Sequence, residues 1–182
     1  MVPIDIIKYF ARYPLLEGVV KNFAREDDTI PGYADLKAYI SAMDPNSLIP
    51  ELTDFVVYTN DKKLAESIAG IDGYFLLVEP GGIGGGPMNE VRVRDSKMTV
   101  QLTIASHWTG SEMDSMGEML QSSRAFEIMT TLINFLKKDD RENCPVQRWL
   151  DNPFQLDPID PFWLCESIGW QLVINVNYMN LL

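Results

Sequence analysis

Apolar positions recur at helical spacing over the first 50 residues and then switch to a period of two. Ile6, Ile7, Phe10 and Ala11 predict a helix over Ile4–Arg12. Pro14 interrupts it, and Leu15, Leu16, Val19, Val20 and Phe23 predict a second, short one. The polar run REDDTIPG (Arg25–Gly32) reads as a loop, and Leu36, Tyr39, Ile40 and Met43 predict a helix over Tyr33–Met43. DPNSLIP (Asp44–Pro50) breaks that pattern. Residues 1–50 are therefore read as a helical arm or layer, and residues 51–182 as an α+β core domain.

Within the core, Phe55–Tyr58 is a short strand candidate, and Asn60 or Asp61 caps a helix through Ala69, ended by Gly70–Gly73. Tyr74–Val78 (YFLLV) is apolar at every position, which suits a central strand covered on both faces. PGGIGGGP (Pro80–Pro87) reads as a flexible hairpin connection. From Met98 to Ile104, Met98, Val100, Leu102 and Ile104 alternate with Thr99, Gln101 and Thr103. Trp170–Tyr178 repeats the design, with Gln171, Val173, Asn175 and Asn177 on the second face. Between these strands the longest helix is expected from an N-cap at Ser111 to about Lys138. Its buried stripe is expected to be Leu120, Ile128, Met129, Leu132, Phe135 and Leu136, with a weak point at Gly117, Ser122 and Ser123. Asn143–Pro161 reads as a Pro- and Asp-rich connector strapped over the core by Trp149 and Phe154. The expected fold is α+β: a mostly antiparallel sheet with a β-β-α-β core, covered by one long helix.

Composition changes this picture by exclusion. Among 182 residues, 46% are hydrophobic, enough for a sizeable core, and 26 acidic against 15 basic side chains give a formal charge of −11. That balance opposes sequence-specific or general nucleic-acid binding and docking on anionic lipid, since both need clustered cations. No apolar run reaches the roughly 18 residues of a membrane helix. The N-terminus, with Asp5 and Lys8 in its apolar stretch, lacks the form of a signal peptide. Cys144 and Cys165 are read as structural thiols in a reducing compartment.

Candidate chemistry fails on spacing. Counting from Gly82, the third glycine of a dinucleotide fingerprint falls at Pro87, and Gly86 is followed by Pro87 and Met88 rather than the Lys-Ser/Thr of a phosphate loop. His107 is the only histidine, so a two-histidine metal site cannot form in one chain, and it reads as a packed or capping residue at a strand end. No nucleophile elbow exists, and the carboxylates (Glu26-Asp27-Asp28, Asp139-Asp140) are scattered in solvated runs. Met113, Met116 and Met119 read as adaptable packing. Arg92 and Arg94 share one strand face, either as an exposed hairpin arm or as ion-pair partners for an acidic neighbouring subunit. No catalytic, metal or cofactor site is expected, and the chain is read as non-enzymatic.

The segments GYFLLVEPGGIGGG (Gly73–Gly86), DSKMTVQLTIASHW (Asp95–Trp108) and GWQLVINVNY (Gly169–Tyr178), in this order around a long helix, resemble the β-β-α-β plan of tail-terminator and head–tail completion proteins of tailed bacteriophages. The resemblance covers roughly residues 52–182 and is one of element order, with no diagnostic motif. It implies a ring-forming virion protein of the neck or tail, made in the bacterial cytoplasm, whose partners are further copies of itself and adjoining virion proteins. DNA would then pass an acidic lumen without binding. Gly81, Gly82, Ile83, Gly84, Gly85, Gly86, Arg92, Arg94, Asn175 and Asn177 are the expected interface residues. The alternative is a small bacterial α+β adaptor or ligand-binding protein, cytoplasmic, with an apolar site walled by Trp108, Trp149, Phe154, Phe162 and Trp163.

Overall fold

A computed structural model of the chain describes residues 3–23, 29–58, 60–84, 97–107, 114–142, 154–159 and 164–177. Among the described residues, three N-terminal helices, α1 (Pro3–Phe10), α2 (Leu16–Val20) and α3 (Tyr33–Ser41), precede the sheet. The chain then runs through β1 (Leu52–Val57), α4 (Asp61–Ile68), β2 (Tyr74–Gly84), β3 (Lys97–His107), α5 (Ser115–Glu142), β4 (Gln155–Pro158) and β5 (Ser167–Asn177). The five strands among the described residues form one sheet in the order β1-β2-β3-β5-β4. The fold class is α+β with a mixed sheet, because β1 pairs with β2 in parallel through the α4 crossover while the other three pairings are antiparallel.

Alternation along the strands sorts two cores. On one face Leu76, Val78, Val100, Leu102, Ile104, Leu172 and Ile174 meet the stripe of α5. Ile6, Phe10, Tyr13 and Val19 of the N-terminal layer, with Ile40 and Ile49, join the same cluster, so this layer closes the core under β1 and β2. Phe10 and Tyr13 are fully buried, and each such ring contributes roughly 1.5–3 kcal/mol by leaving water. On the opposite face, Phe75, Leu77 and Ala105 pack with Ile68 of α4 and with Leu164. Burial of Phe75 through Val78 confirms the expectation of a strand covered on both sides. The outer edge of β1 is engaged: Leu15 N donates to Leu52 O at 2.8 Å, and the Asn22 side chain donates to Phe55 O at 2.8 Å.

Several expectations are corrected. Strand β2 continues through the first part of the glycine segment to Gly84, because cross-strand pairing with β3 outweighs the low strand preference of glycine. Strand β4 lies inside the segment expected to be an irregular connector, where Pro153 and Pro158 obscure the pattern. Helix α5 begins at Ser115, with the Asp114 carboxylate accepting from Gly117 N at 2.7 Å, and continues past Lys138 to Glu142. The expected cap Ser111 lies outside the described residues, as do Trp149 and Cys144. The buried stripe of α5 is Ala125, Ile128, Met129, Leu132, Ile133 and Leu136. Leu120, expected in it, is 66% exposed. Met116 and Met119, expected to pack, are 61% and 62% exposed.

Candidate assembly surfaces

The end of the sheet farthest from His107 gathers the described interface candidates. Pro80 pairs with Val100 and Ile83 with Met98, so Gly81 and Gly82 together oppose Thr99 alone, which is a β-bulge. Gly84 then pairs with Lys97, and Lys97 with Asn177 on its other side, while Asn175 pairs with Thr99. Gly81, Gly82, Ile83 and Gly84, expected in a loop, are therefore strand residues, and β3 carries them beside Asn175 and Asn177. Gly85, Gly86, Arg92 and Arg94 lie outside the described residues.

The face of β3 and β5 turned away from α5 carries Thr99, Gln101, Thr103, Gln171 and Val173. Gln171 Nε2 donates to Gln101 Oε1 at 2.9 Å, an amide pair across the two strands. Gln101, Gln171 and Val173 are half-buried, and Glu79 and Asp157 stand at the two margins in register with Gln101 and Gln171. Strand β4 forms the sheet edge on this side; its Gln155 side chain donates to Asp157 at 2.5 Å.

A groove of about 760 Å³ runs between the first half of α5 and β5. Met119 and Phe126 form one wall, Ile168 and Trp170 the floor, and Glu118 and Glu127 the rim. Trp170 is fixed there by its ring N–H, which donates to Ser122 O at 3.1 Å, and by edge contact with Phe126 at 4.9 Å between centroids. Sequence reasoning assigned no role to this groove, although the signal was present. Stepping back from Ala125 at helical period puts Gln121, Ser122 and Glu118 toward the protein, which turns Met116, Met119 and Leu120 outward. A second recess of about 410 Å³ lies among α1–α3, β1 and α4, lined by Ile7, Phe23, Leu36, Val57, Lys21 and Lys63.

Polar side chains cluster where α1 meets the end of α5. Tyr9 O–H donates to Asp139 at 2.5 Å, and the Arg12 guanidinium pairs with Asp139 while donating to the Tyr13 hydroxyl at 2.9 Å. The same guanidinium lies over the Tyr9 ring at 4.1 Å, tying α1 to the end of α5. Burial, reinforced by neighbouring groups, pushes the Tyr9 phenol well above its ordinary range, and burial raises Tyr13 against the opposing pull of Tyr9 and Arg12. His107 Nδ1 stands 3.1 Å from the carbonyl oxygen of Cys165, which makes the ring nitrogen the donor. It anchors a turn in which Cys165 and Glu166 both adopt positive φ, 48° and 56°. No group of three metal-ligating side chains occurs among the described residues, and no helix there is long and apolar enough to cross a membrane.

Comparison with protein-family models, curated proteins and solved structures finds no match for this chain.

Proposed function

We propose that the protein is a non-enzymatic assembly component, a ring-forming neck or tail protein of a tailed bacteriophage. The observation that carries this reading is the face of β3 and β5 turned away from α5, where Gln101, Gln171 and Val173 are only half-buried among the described residues. Helix α5 covers one face of β3 and β5, while the other presents the Gln101–Gln171 amide pair flanked by Thr99 and Val173. A face that is uncharged at its centre and already hydrogen-bonded can meet a neighbouring subunit without desolvating a formal charge. The bulged, glycine-bearing end of β2 and the β4 edge supply further contacts, and the −11 charge of each copy keeps DNA mobile in the lumen.

The test is the mass of the purified full-length chain by native mass spectrometry, with images of the particles. Closed rings of many copies are expected, and Gln101→Arg with Gln171→Arg is expected to leave monomers that stay folded. A chain that is monomeric at every concentration and fails to cofractionate with phage particles overturns the reading. The second reading, a small ligand-binding protein, draws on the recess beside Lys21 and Lys63. Of the aromatic wall expected from sequence, Phe154 is exposed, and Trp108, Trp149, Phe162 and Trp163 lie outside the described residues. A monomer whose melting temperature rises with an apolar carboxylate would favour that second reading.

A further inference from the structure

We infer that the groove between α5 and β5 is a docking site for a basic amphipathic segment of an adjoining protein, apolar along one face and flanked by Lys or Arg. The inference rests on the assembly reading and names the chemistry of the partner.

Full burial begins on α5 only at Ala125, so the helix from Ser115 to Arg124 lacks a fully buried side chain. Short helical stretches are marginal in water without a packed face, and this one exposes Met116, Met119 and Leu120 by more than 60% each. Phe126, 40% exposed, continues the apolar surface to the groove. Scattered exposed apolar residues need no explanation, but four on adjoining turns beside an open groove mark an interaction surface. The groove wall from Ser115 to Glu127 is about 18 Å long at helical rise, enough for several turns of a partner helix. The indole N–H of Trp170 is already satisfied by Ser122, so the floor offers its ring face without an unpaired donor. Unbranched methionines adapt to whichever side chains enter.

Charge decides the occupant. Asp114, Glu118 and Glu127 give this stretch three carboxylates against the single guanidinium of Arg124. Arg124 is itself engaged by Glu127 at 2.7 Å and Glu51 at 3.2 Å. A second copy would bring the same acidic excess and its own −11 against this surface. A partner with cations beside its apolar anchors meets complementary charge instead.

The full-length chain would be titrated with a fluorescently labelled helical peptide of about 18 residues, Leu on one face flanked by Lys, and with its isomer carrying Glu for Lys. Anisotropy should show saturable binding of the Lys peptide, about tenfold or more tighter than the Glu isomer and weakened by salt. Met119→Gln should weaken it about tenfold, and Glu118→Gln should shallow its salt dependence, while circular dichroism and melting stay at wild-type values. Absence of saturable binding, equal binding of both isomers, or an unaffected Met119→Gln variant overturns the inference. So does sedimentation showing copies that pair through this surface and separate in Met119→Gln. Rings that form while the peptide fails to bind leave the assembly reading standing and remove this one; binding without rings does the reverse.

Discussion

Gly169 sits in β5 directly opposite Ala105, and the backbones approach too closely there for any side chain. A Cβ at Gly169 would stand 2.1 Å from Ile104 O, 2.6 Å from Ala105 Cα and 2.7 Å from Ala105 Cβ. Because real Cβ atoms essentially never come within 3.0 Å of such neighbours, Gly169→Ala must push β5 away from β3. The displacement is on the order of 1 Å, and it strains the central antiparallel ladder and the Ile159 N–H bond to Gly169 O. Overpacking of this kind costs about 3 kcal/mol, the upper part of its usual range, since the obstacle is backbone and cannot rotate aside. For a chain of this length that lowers the melting temperature by roughly 6–12 °C. Thermal unfolding followed by circular dichroism measures it, with urea unfolding as a check that the slope is unchanged. Ala105→Gly in the Gly169→Ala background should recover less than about half of the loss, because the nearest obstacle, Ile104 O, remains. A Gly169→Ala protein melting within about 2 °C of wild type, or full rescue by Ala105→Gly, would refute this account of the strand contact.

The buried phenols predict a loss of stability at alkaline pH. Tyr9 and Tyr13 are raised above the ordinary value of 10.0, so the native state keeps protons that the unfolded chain releases. Their contribution is whole below pH 10 and declines above it, by up to about 1.4 kcal/mol per pH unit per tyrosine. Melting temperature against pH, read with tyrosinate absorbance, checks the sign; a flat profile above pH 10 contradicts it. Asp139→Asn removes the charge that Arg12 and Tyr9 share and should cost about 2 kcal/mol, with the equivalent change at exposed Asp44 nearly neutral. Asn60→Ala removes the side-chain cap that accepts from Lys63 N at 3.0 Å and should cost about 1 kcal/mol, with loss of protection in α4 amides by hydrogen exchange.

Legibility followed the strength of local alternation. Apolar residues at every second position, four in β3 and five in the last strand segment, mark both strands and the face that α5 covers. Asn60 announced α4, and Pro14 separated α1 from α2. The glycine segment is not legible locally, because its intrinsic preference is overridden by its partner: opposite β3, Gly81 and Gly82 form a bulge and Gly84 a ladder position. Strand β4 was hidden because an edge strand of four residues has only one neighbour and little burial. Of the interface candidates, Ile83 and Gly84 carry a loop-like local pattern and Asn175 and Asn177 a strand pattern, yet pairing through β3 brings them to one end of the sheet. Nothing in their separation along the chain reveals that.

By itself, the order of apolar and polar residues determined the α+β class, the long covering helix and the charge-poor strands. Those properties depend on neighbours a few positions apart, or on residue types alone. Only the tertiary structure decided that β1 runs parallel to β2, that β4 forms the edge, and that Met116, Met119 and Leu120 face outward above a Trp170-floored groove. The reason is that an apolar side chain records a tendency to leave water without naming what covers it. On α5 the sheet covers the apolar Ile128 and Leu132, whereas on the turn before Ala125 it meets the polar Gln121 and Ser122.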